Sequence, residues 1–423
     1  MAVAQENWRD TEPSLDEVMA SHGDVSPYVI IKTDVQRRGV LFSKKALQAV
    51  NHDVAALKMR GIYQEKENGE PNGLILNDGT SIIMEEMDAD SAKSGRGRDA
   101  FVVDLIDGKA VLTDNGTVVT EVSYWPKPDY FDKLTSRGTP MWQVVNARPQ
   151  RIGIAMYQFC DFWKAGAGGK GCKFCAIAST CKTTKEKKDM LINEDDVVET
   201  VAEVLKQPGR LRMIQLCCGT LLGGEGELLD EEVNMYAHLL RRLGELFSTK
   251  KILTQLIATA YTEKQLRRLY EETILSSYTA DIEVLNENIF NWLCPGKAER
   301  IGYKGWKERL FRAVDVFGEH NVNTGIVSGV EFSRPVGFTS EEEALESTLR
   351  EAEDFISHGV GIAQTVWQIR GNTPLRNQRA PSLEYLIQVA VGLDALQRKY
   401  RQEVYFDDFR TCGNHPNTDL ARI

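Results

Sequence analysis

The chain has 423 residues, 42% of them apolar, and carries a formal charge of −10 at pH 7. This length predicts one large and one smaller domain, and the composition is that of a folded globular protein. The negative charge disfavours a nucleic-acid partner, because phosphate binding needs a basic face.

The sequence gives no signal for a membrane or for secretion. No apolar run approaches the roughly 18 residues that predict a membrane-spanning helix. The first residues lack a basic stretch followed by an apolar one, so we expect a cytoplasmic protein. In that compartment, eight cysteines favour metal binding or reduced thiols over disulfides.

Residues 1–145 predict a small α+β or mostly β domain whose role the sequence does not reveal. Short β-like runs separated by Asx-Gly turns predict hairpins, and residues 42–59 predict a helix with Ser43 as its N-cap. The polar stretch 88–98 predicts a loop. The β-like runs begin at Tyr28, Leu74, Thr80, Phe101 and Lys109, and the turns lie at 69–73, 77–79, 106–108 and 114–116.

Residues 146–423 follow a different pattern, in which apolar strands alternate with amphipathic helices. This alternation predicts a parallel sheet with helices outside it, and six such units predict a (β/α)₆ partial barrel. Asn193, Thr262 and Ser340 are predicted N-caps, and Pro381 is predicted in the first turn of the last helix. Strands are predicted at 151–159, 211–217, 252–258, 277–283, 321–328 and 360–367, with helices at 194–207, 230–247, 263–272, 304–317, 341–357 and 381–399.

Three cysteines follow the first of these strands. Cys160, Cys172 and Cys175 form the pattern C-x₁₁-C-x₂-C within residues 159–177, on a loop at the carboxyl end of the strand, where barrel folds carry their chemistry. Structural zinc takes four N or S ligands. Three cysteines with no nearby histidine fit an iron–sulfur cluster with one open iron better. A zinc site or a thiol-redox C-x-x-C pair remains the alternative.

The aromatic residue Phe174 between the last two cysteines completes a C-x-Φ-C pattern that resembles the radical S-adenosylmethionine (radical SAM) superfamily. The resemblance covers roughly residues 150–415. It implies a barrel that stays open and three cysteines holding three irons of a 4Fe–4S cluster, with SAM chelating the fourth. Most of the family has C-x₃-C-x₂-C, so the first gap here is much longer and is interpreted as an enlarged loop.

Further strand ends carry family-like elements. After the second strand, Gly219, Thr220 and Glu225 match the element that holds the SAM amino group, although an ordinary glycine-rich turn is the alternative. At the fourth strand end, Glu283 resembles the SAM-ribose ligand and Asp281 lies two residues before it. A buried acid that caps the next helix is the alternative for Glu283.

The fifth and sixth strand ends add weaker matches. Gly329 lies in a G-x-I-x-G-x-x-E element, where glycines let the adenine lie against the backbone. Arg370, at the end of the sixth strand, is a candidate to pair with the SAM carboxylate or an anionic substrate. Trp367 beside it is as readily explained as a core residue.

The glycine-rich stretch and the remaining cysteines have simpler interpretations. The glycine-rich stretch 166–171 satisfies G-x-G-x-x-G by letter, but it lies between cysteines and not between a strand and a helix, so it predicts no dinucleotide site. Cys217 and Cys218 are predicted to be buried, small apolar residues. Cys412, in a polar C-terminal tail, is predicted to lie over the barrel mouth and to act with Arg370 and Asp281 in catalysis, unless the tail is simply solvated.

The sequence therefore leaves three classes of function. The first is a radical SAM enzyme that cleaves SAM to a 5′-deoxyadenosyl radical and abstracts hydrogen from a small molecule, in cofactor or natural-product biosynthesis. The second is radical SAM modification of RNA or of a protein. The third is a non-catalytic zinc or thiol-redox protein. For the first class we expect a flavodoxin- or ferredoxin-type electron donor, no membrane partner and a possible homodimer. The sequence names neither the substrate nor the bond that changes.

Overall fold

The computed structural model contains two β-sheets, each packed against its own set of helices. It describes residues 12–49, 73–83, 99–148, 150–157, 159–163, 169–177, 191–207, 213–402 and 413–421. Several predictions fall outside these ranges. They are the loop at 88–98, residues 69–72 of the first turn, residues 50–59 of the predicted helix, and Cys412.

The first sheet belongs to the N-terminal part of the chain. Its strands are β1 (Val40–Phe42), β2 (Gly73–Leu76), β3 (Ser81–Ile83), β4 (Phe101–Ile106), β5 (Lys109–Asp114) and β6 (Thr117–Ser123), in the order β1-β4-β5-β6-β2-β3. The predicted Asx-Gly hairpins are confirmed between β2 and β3, β4 and β5, and β5 and β6. At the last turn Asn115 and Gly116 have φ values of 48° and 84°, as a two-residue hairpin requires.

The prediction of a strand at Tyr28 is wrong. Residues Pro27–Arg38 form a helix, α2, with Pro27 in its first turn and almost every later residue buried. It follows α1 (Leu15–Ser21) and precedes α3 (Lys44–Ala49), whose start is capped by the Ser43 hydroxyl as predicted. The β-branched run in α2 resembles a strand, but burial on all sides decides its conformation, because tertiary packing overrides local propensity.

The second sheet is the predicted open half-barrel. Its strands are β7 (Val145–Arg148), β8 (Arg151–Ile154), β9 (Met213–Cys217), β10 (Thr254–Ile257), β11 (Ser277–Thr279), β12 (Val322–Ser328) and β13 (Gly361–Val366). They lie in chain order, β8 to β13 are parallel, and β7 is antiparallel to β8. Strands β7 and β13 form the two edges of this sheet, so it stays open. The predicted (β/α)₆ partial barrel after a small α+β region is confirmed.

The helices of this half follow the predicted order. They are α4 (Met141–Val144), α5 (Glu194–Val204), α6 (Asp230–Gly244), α7 (Glu263–Glu272), α8 (Glu287–Leu293), α9 (Pro295–Arg300), α10 (Tyr303–Phe317), α11 (Glu341–Ser357), α12 (Leu383–Lys399) and α13 (Pro416–Asp419). Asn193, Thr262 and Ser340 are N-caps as predicted. The last long helix starts after Ser382, its cap, so Pro381 lies just outside it.

The two faces of the half-barrel sheet differ in chemistry. Tyr278 stacks on Phe317 of α10 and the Gln364 amide bonds the backbone of α12, so this alternate set of side chains faces the helices. The other set faces the concave side. There Gln215 donates to Gln255, which donates to Thr279, in a row across β9, β10 and β11.

The C-terminal segment joins the two sheets. Lys32 of α2 forms an ion pair with Asp419 of α13, with both side chains fully buried. Asn417 bonds the backbone of β13 at Ile362 and Gln364, and Gly413 accepts from the amide of Ile83 in β3. Within the described residues, no helix is long and apolar enough to cross a membrane.

Candidate functional site

The three cysteines of the C-x₁₁-C-x₂-C pattern lie together at the carboxyl end of β8. Cys160 is buried, and Cys172 and Cys175 are half-buried. Burial raises the pKa of Cys160 to about 12 and raises that of Cys175 further, and the charge of Cys172 adds to both. The Cys175 amide donates to the Cys172 carbonyl at 3.0 Å, and a Cβ on Gly171 would lie 2.1 Å from the Trp163 ring, so the segments that carry the three thiols pack together. Residues 164–168 of this loop are outside the described ranges.

The donors at this site are thiols. Among the described residues, no three His, Cys, Asp or Glu side chains converge closely enough to hold a single metal ion. Phe174, between the last two cysteines, packs on the barrel core.

The segment after β9 packs directly on the cysteine loop. A Cβ on Gly219 would lie 2.0 Å from the Phe159 carbonyl oxygen and 2.8 Å from the Cys160 Cβ, so only glycine fits. The Thr220 carbonyl accepts from the Asp161 amide at 2.8 Å. Glu225 is exposed and makes no hydrogen bond or ion pair with the described part of that loop. The structure thus brings Gly219 and Thr220, but not Glu225, to the cysteines.

A buried carboxylate that the sequence analysis missed holds this segment in place. Glu232 of α6 accepts hydrogen bonds from the Leu221 amide at 2.6 Å, from the Tyr157 hydroxyl at 2.9 Å and from the Tyr261 hydroxyl. Burial raises its pKa, although these three donors oppose the shift. An acid in the first turn of an amphipathic helix looks like an ordinary solvated residue, so the sequence carried no signal for it.

The end of β11 carries a strained acidic pair. Strand β11 stops at Thr279, earlier than predicted, and Glu283 has a φ of +74°, a left-handed conformation that is rare outside glycine. Asp281 accepts from the Gly325 amide at 2.8 Å, and a Cβ on Gly325 would lie 2.5 Å from that carboxylate. Such strain is often kept at functional sites.

Lys297 forms an ion pair with Glu283 that the sequence analysis did not predict. Its ammonium donates to the Glu283 carboxylate at 2.5 Å and to the Asp281 carbonyl at 2.7 Å. Burial raises the pKa of Glu283 to about 7; Asp281 adds to the rise and Lys297 opposes it. Burial disfavours the ammonium of Lys297, but Glu283, Cys172 and Cys294 outweigh that and raise its pKa.

The same short segment brings a fourth thiol to the site. Cys294, which joins α8 to α9, is fully buried and lies near Cys172. The Cys294 thiol and the charge of Lys297 lower the pKa of Cys172, although burial opposes them. Nothing in the local sequence signals this contact, because the two cysteines are more than a hundred residues apart.

The remaining predicted residues lie at the last two strand ends. Gly329 has a φ of +114° and donates to the Glu331 carboxylate at 2.7 Å. Burial raises the pKa of Glu331 to about 6. Arg370 is half-buried beyond β13, and burial lowers its pKa to about 10. Trp367 is buried, as a core residue would be.

The sequence predicts that Cys217 and Cys218 are both buried. Cys217, predicted to be buried, is exposed at the end of β9, so that prediction is wrong. It lies two residues after Gln215 and therefore on the concave side of the sheet, away from the helices that would bury it. Cys218 faces the helices and contacts Tyr236, as a packed residue does.

The concave side also holds an amide without a protein partner. Asn323 of β12 lies beside Thr279 and is 2% exposed, and neither its amide nitrogen nor its carbonyl oxygen has a hydrogen-bond partner in the protein. Buried polar groups are normally satisfied. With Gln215 and Gln255 nearby, this amide marks a polar, uncharged wall that a small ligand or water can contact.

Comparisons with known proteins give remote structural similarities. No family model matches the chain, and no curated protein matches its sequence. Solved structures that share features of the fold include two of HydG, a maturase of the FeFe-hydrogenase. One is 12% identical over 59% of this chain and 51% of that chain, with a TM-score of 0.40. The other, from Carboxydothermus hydrogenoformans, is 14% identical over 59% of this chain and 52% of that chain, with a TM-score of 0.40.

A third structure is a radical SAM methyltransferase from Sphaerobacter thermophilus. It is 15% identical over 70% of this chain and 73% of that chain, with a TM-score of 0.40. The matched part of the present chain spans about half the length of each HydG chain.

Proposed function

We propose that this protein is a radical SAM enzyme that acts on a small molecule in cofactor or natural-product biosynthesis. The observation that carries the proposal is the grouping of Cys160, Cys172 and Cys175 at the carboxyl edge of an open six-unit parallel sheet. When bound at these thiols, a 4Fe–4S cluster would supply the electron that cleaves SAM reductively to a 5′-deoxyadenosyl radical.

The chain's own residues prepare the site for such a group. The Lys297 ammonium lies beside Cys172 and Cys294 and favours ionised sulfur at that position. Gly219 allows the segment after β9 to approach the cysteine loop, and Glu232 holds that segment. Glu283 lies at a strand end on strained backbone, and both features support it as a ligand for ribose hydroxyls. Lys297 holds its carboxylate in place.

The concave wall supports a small polar substrate. Gln215, Gln255, Thr279 and Asn323 offer amide and hydroxyl groups without charge, and such groups recognise a polar molecule by hydrogen bonds. Arg370 and Asp281 stay candidate catalytic residues near the strand ends, as does Cys412. A cytoplasmic location, a flavodoxin- or ferredoxin-type electron donor and a homodimer stay predictions.

The test is the metal content of anaerobically reconstituted protein. We expect about four irons and four sulfides per chain and an electron paramagnetic resonance signal that changes when SAM is added. A Cys172→Ala variant should lose most of this iron, whereas the matched Cys217→Ala variant, in which an exposed thiol outside the pattern is removed, should keep it. Zinc in place of iron, or a signal indifferent to SAM, would return the site to a structural or thiol-redox role.

A further inference from the structure

Two backbone hydrogen bonds join the cysteine loop to the junction of α8 with α9. The Lys173 amide donates to the Leu293 carbonyl at 2.9 Å, and the Gly296 amide donates to the Lys170 carbonyl at 2.7 Å. Cys172 lies between the two bonded positions of the loop, and Cys294 lies between those of the junction. The two bonds therefore bring Cys172 and Cys294 to the same part of the contact.

This placement suits a disulfide. Disulfides span Cα atoms about 4.4–6.8 Å apart, and backbone segments joined by hydrogen bonds bring facing residues to about that separation. The junction cannot slide, because Gly296 is held between the Phe162 ring and the Lys170 carbonyl; a Cβ there would lie 2.6 Å and 2.7 Å from them.

The two thiols differ in access. Cys294 is fully buried, whereas Cys172 is half-buried. A small oxidant in solution therefore reaches Cys172 first, and Cys294 is positioned to attack from behind. Thiol–disulfide exchange needs an attacking thiolate that its partner can reach, and Cys172 is the more accessible of the two residues.

We propose that Cys172 and Cys294 form a dithiol that a low-molecular-weight disulfide, of the glutathione disulfide class, converts to an intramolecular disulfide in the metal-free protein. The Cys172 thiolate attacks one glutathione sulfur, breaks the S–S bond and releases one glutathione. The Cys294 thiolate then attacks the Cys172 sulfur of the mixed disulfide and releases the second glutathione. The protein loses two electrons, glutathione disulfide gains them, and the two thiol protons end on the released glutathiones.

The disulfide has a consequence for the metal centre. It occupies Cys172, so the protein cannot offer three thiolates to a cluster until the bond is reduced. This consequence rests on the proposed function, whereas the disulfide itself does not. The pair thus makes cluster loading depend on the thiol-disulfide balance around the protein.

Peptide mapping of the wild-type chain tests the disulfide directly. Full-length protein is freed of metal with a chelator and reductant, desalted, treated with glutathione disulfide and alkylated, then digested without reduction for mass spectrometry. We expect the Cys172–Cys294 linkage to exceed any other pairing by about tenfold. Dominant Cys172–Cys175 or Cys160 linkages, or alkylated Cys294, would overturn the inference.

Two variants and an iron assay complete the test. Cys294→Ser should abolish the linkage, and the Cys217→Ser control should retain it; because the wild-type mapping needs no variant, a misfolded Cys294→Ser leaves the test intact. Oxidised wild-type protein should take up about tenfold less iron until dithiothreitol is added. Cys294→Ser cannot complete the second step, so it should keep the mixed disulfide of Cys172 with glutathione in place of the linkage. The same amount of mixed disulfide in both proteins contradicts the inference. If the reduced protein binds zinc and the oxidised protein forms the linkage, only the proposed function is contradicted.

Discussion

The N-terminal region and the half-barrel bury charge in opposite ways. In the first, and where the C-terminal segment packs on it, the buried acids Asp34 and Asp419 each meet a cation. Burial alone would raise the pKa of Asp34, but Arg37 and Arg38 outweigh it and the pKa is lowered. At the barrel's strand ends, Glu283 keeps a raised pKa despite Lys297, its backbone is strained, and Asn323 nearby has no protein partner.

A paired buried charge and a buried carboxylate with a raised pKa suit different roles. A buried charge that is fully paired fixes how elements dock, as Lys32 and Asp419 fix α2 against the C-terminal segment. A buried charge held near its neutral form, on strained backbone, is suited to change its state or its partner when a ligand arrives. The strained Glu283 and the amide of Asn323 both lie in the half-barrel, so we expect the chemistry there.

The largest expected effect on stability comes from breaking the buried ion pair between Lys32 and Asp419. Lys32→Met leaves Asp419 charged and buried, so the free energy of unfolding should fall by about 3–5 kcal/mol in urea denaturation. Adding Asp419→Leu should restore most of it, and iron per folded chain should stay unchanged throughout. The control Lys109→Met removes the exposed pair with Glu121 and should cost less than about 1 kcal/mol. Loss of iron binding by the folded double variant would give this region a functional role.

A smaller effect is expected for the half-barrel pair. Lys297→Met should lower the free energy of unfolding by about 1–3 kcal/mol at pH 8 and by less at pH 6. The reason is that Glu283, whose pKa is already about 7, can take a proton once its cation is gone. SAM binding, followed by equilibrium dialysis, should weaken in the same variant. The exposed Lys304→Met is the matched control, and an equal cost at both pH values would mean that Glu283 stays ionised.

A further effect, which depends on pH, concerns His415, which lies between the two regions. Its Nδ1 donates to the Gln364 carbonyl at 3.0 Å, and burial, helped by Arg151 and Lys32, lowers its pKa to about 4. The unfolded chain takes up a proton at this residue below about pH 6.5, whereas the folded chain does so only near pH 4. His415 therefore contributes stability above pH 6.5 that is lost as the pH falls towards 4, with a slope of up to about 1.4 kcal/mol per pH unit.

Urea denaturation between pH 7 and pH 4.5 checks this slope. His415→Gln should flatten it, whereas His358→Gln, at an exposed histidine, should not. An unchanged slope in the His415 variant would show that this imidazole is protonated in the folded protein.

Periodicity and turn chemistry were sufficient to predict most of the half-barrel. The strands are separated by helices whose caps, Asn193 and Ser340, are local signals, and Asx-Gly pairs specify the hairpins of the first sheet. Helix α2 was missed because its β-branched residues read locally as a strand, while its conformation is set by burial on every side.

The site could be predicted only in part, for a related reason. The three cysteines are visible because they are close in sequence. Lys297 and Cys294 reach them through a helix junction that docks on the cysteine loop by backbone hydrogen bonds. Such a contact between distant segments leaves no periodic signal, and the short helices α8 and α9 that create it were not predicted either.

The most direct test of the central claim is product analysis by mass spectrometry. Iron-reconstituted wild-type protein is incubated anaerobically with SAM and dithionite, beside a Cys160→Ala variant and the Cys217→Ala control. We predict 5′-deoxyadenosine and methionine from the wild type and the control and neither product from Cys160→Ala. A fully iron-loaded wild-type protein that binds SAM but yields no 5′-deoxyadenosine would contradict the claim.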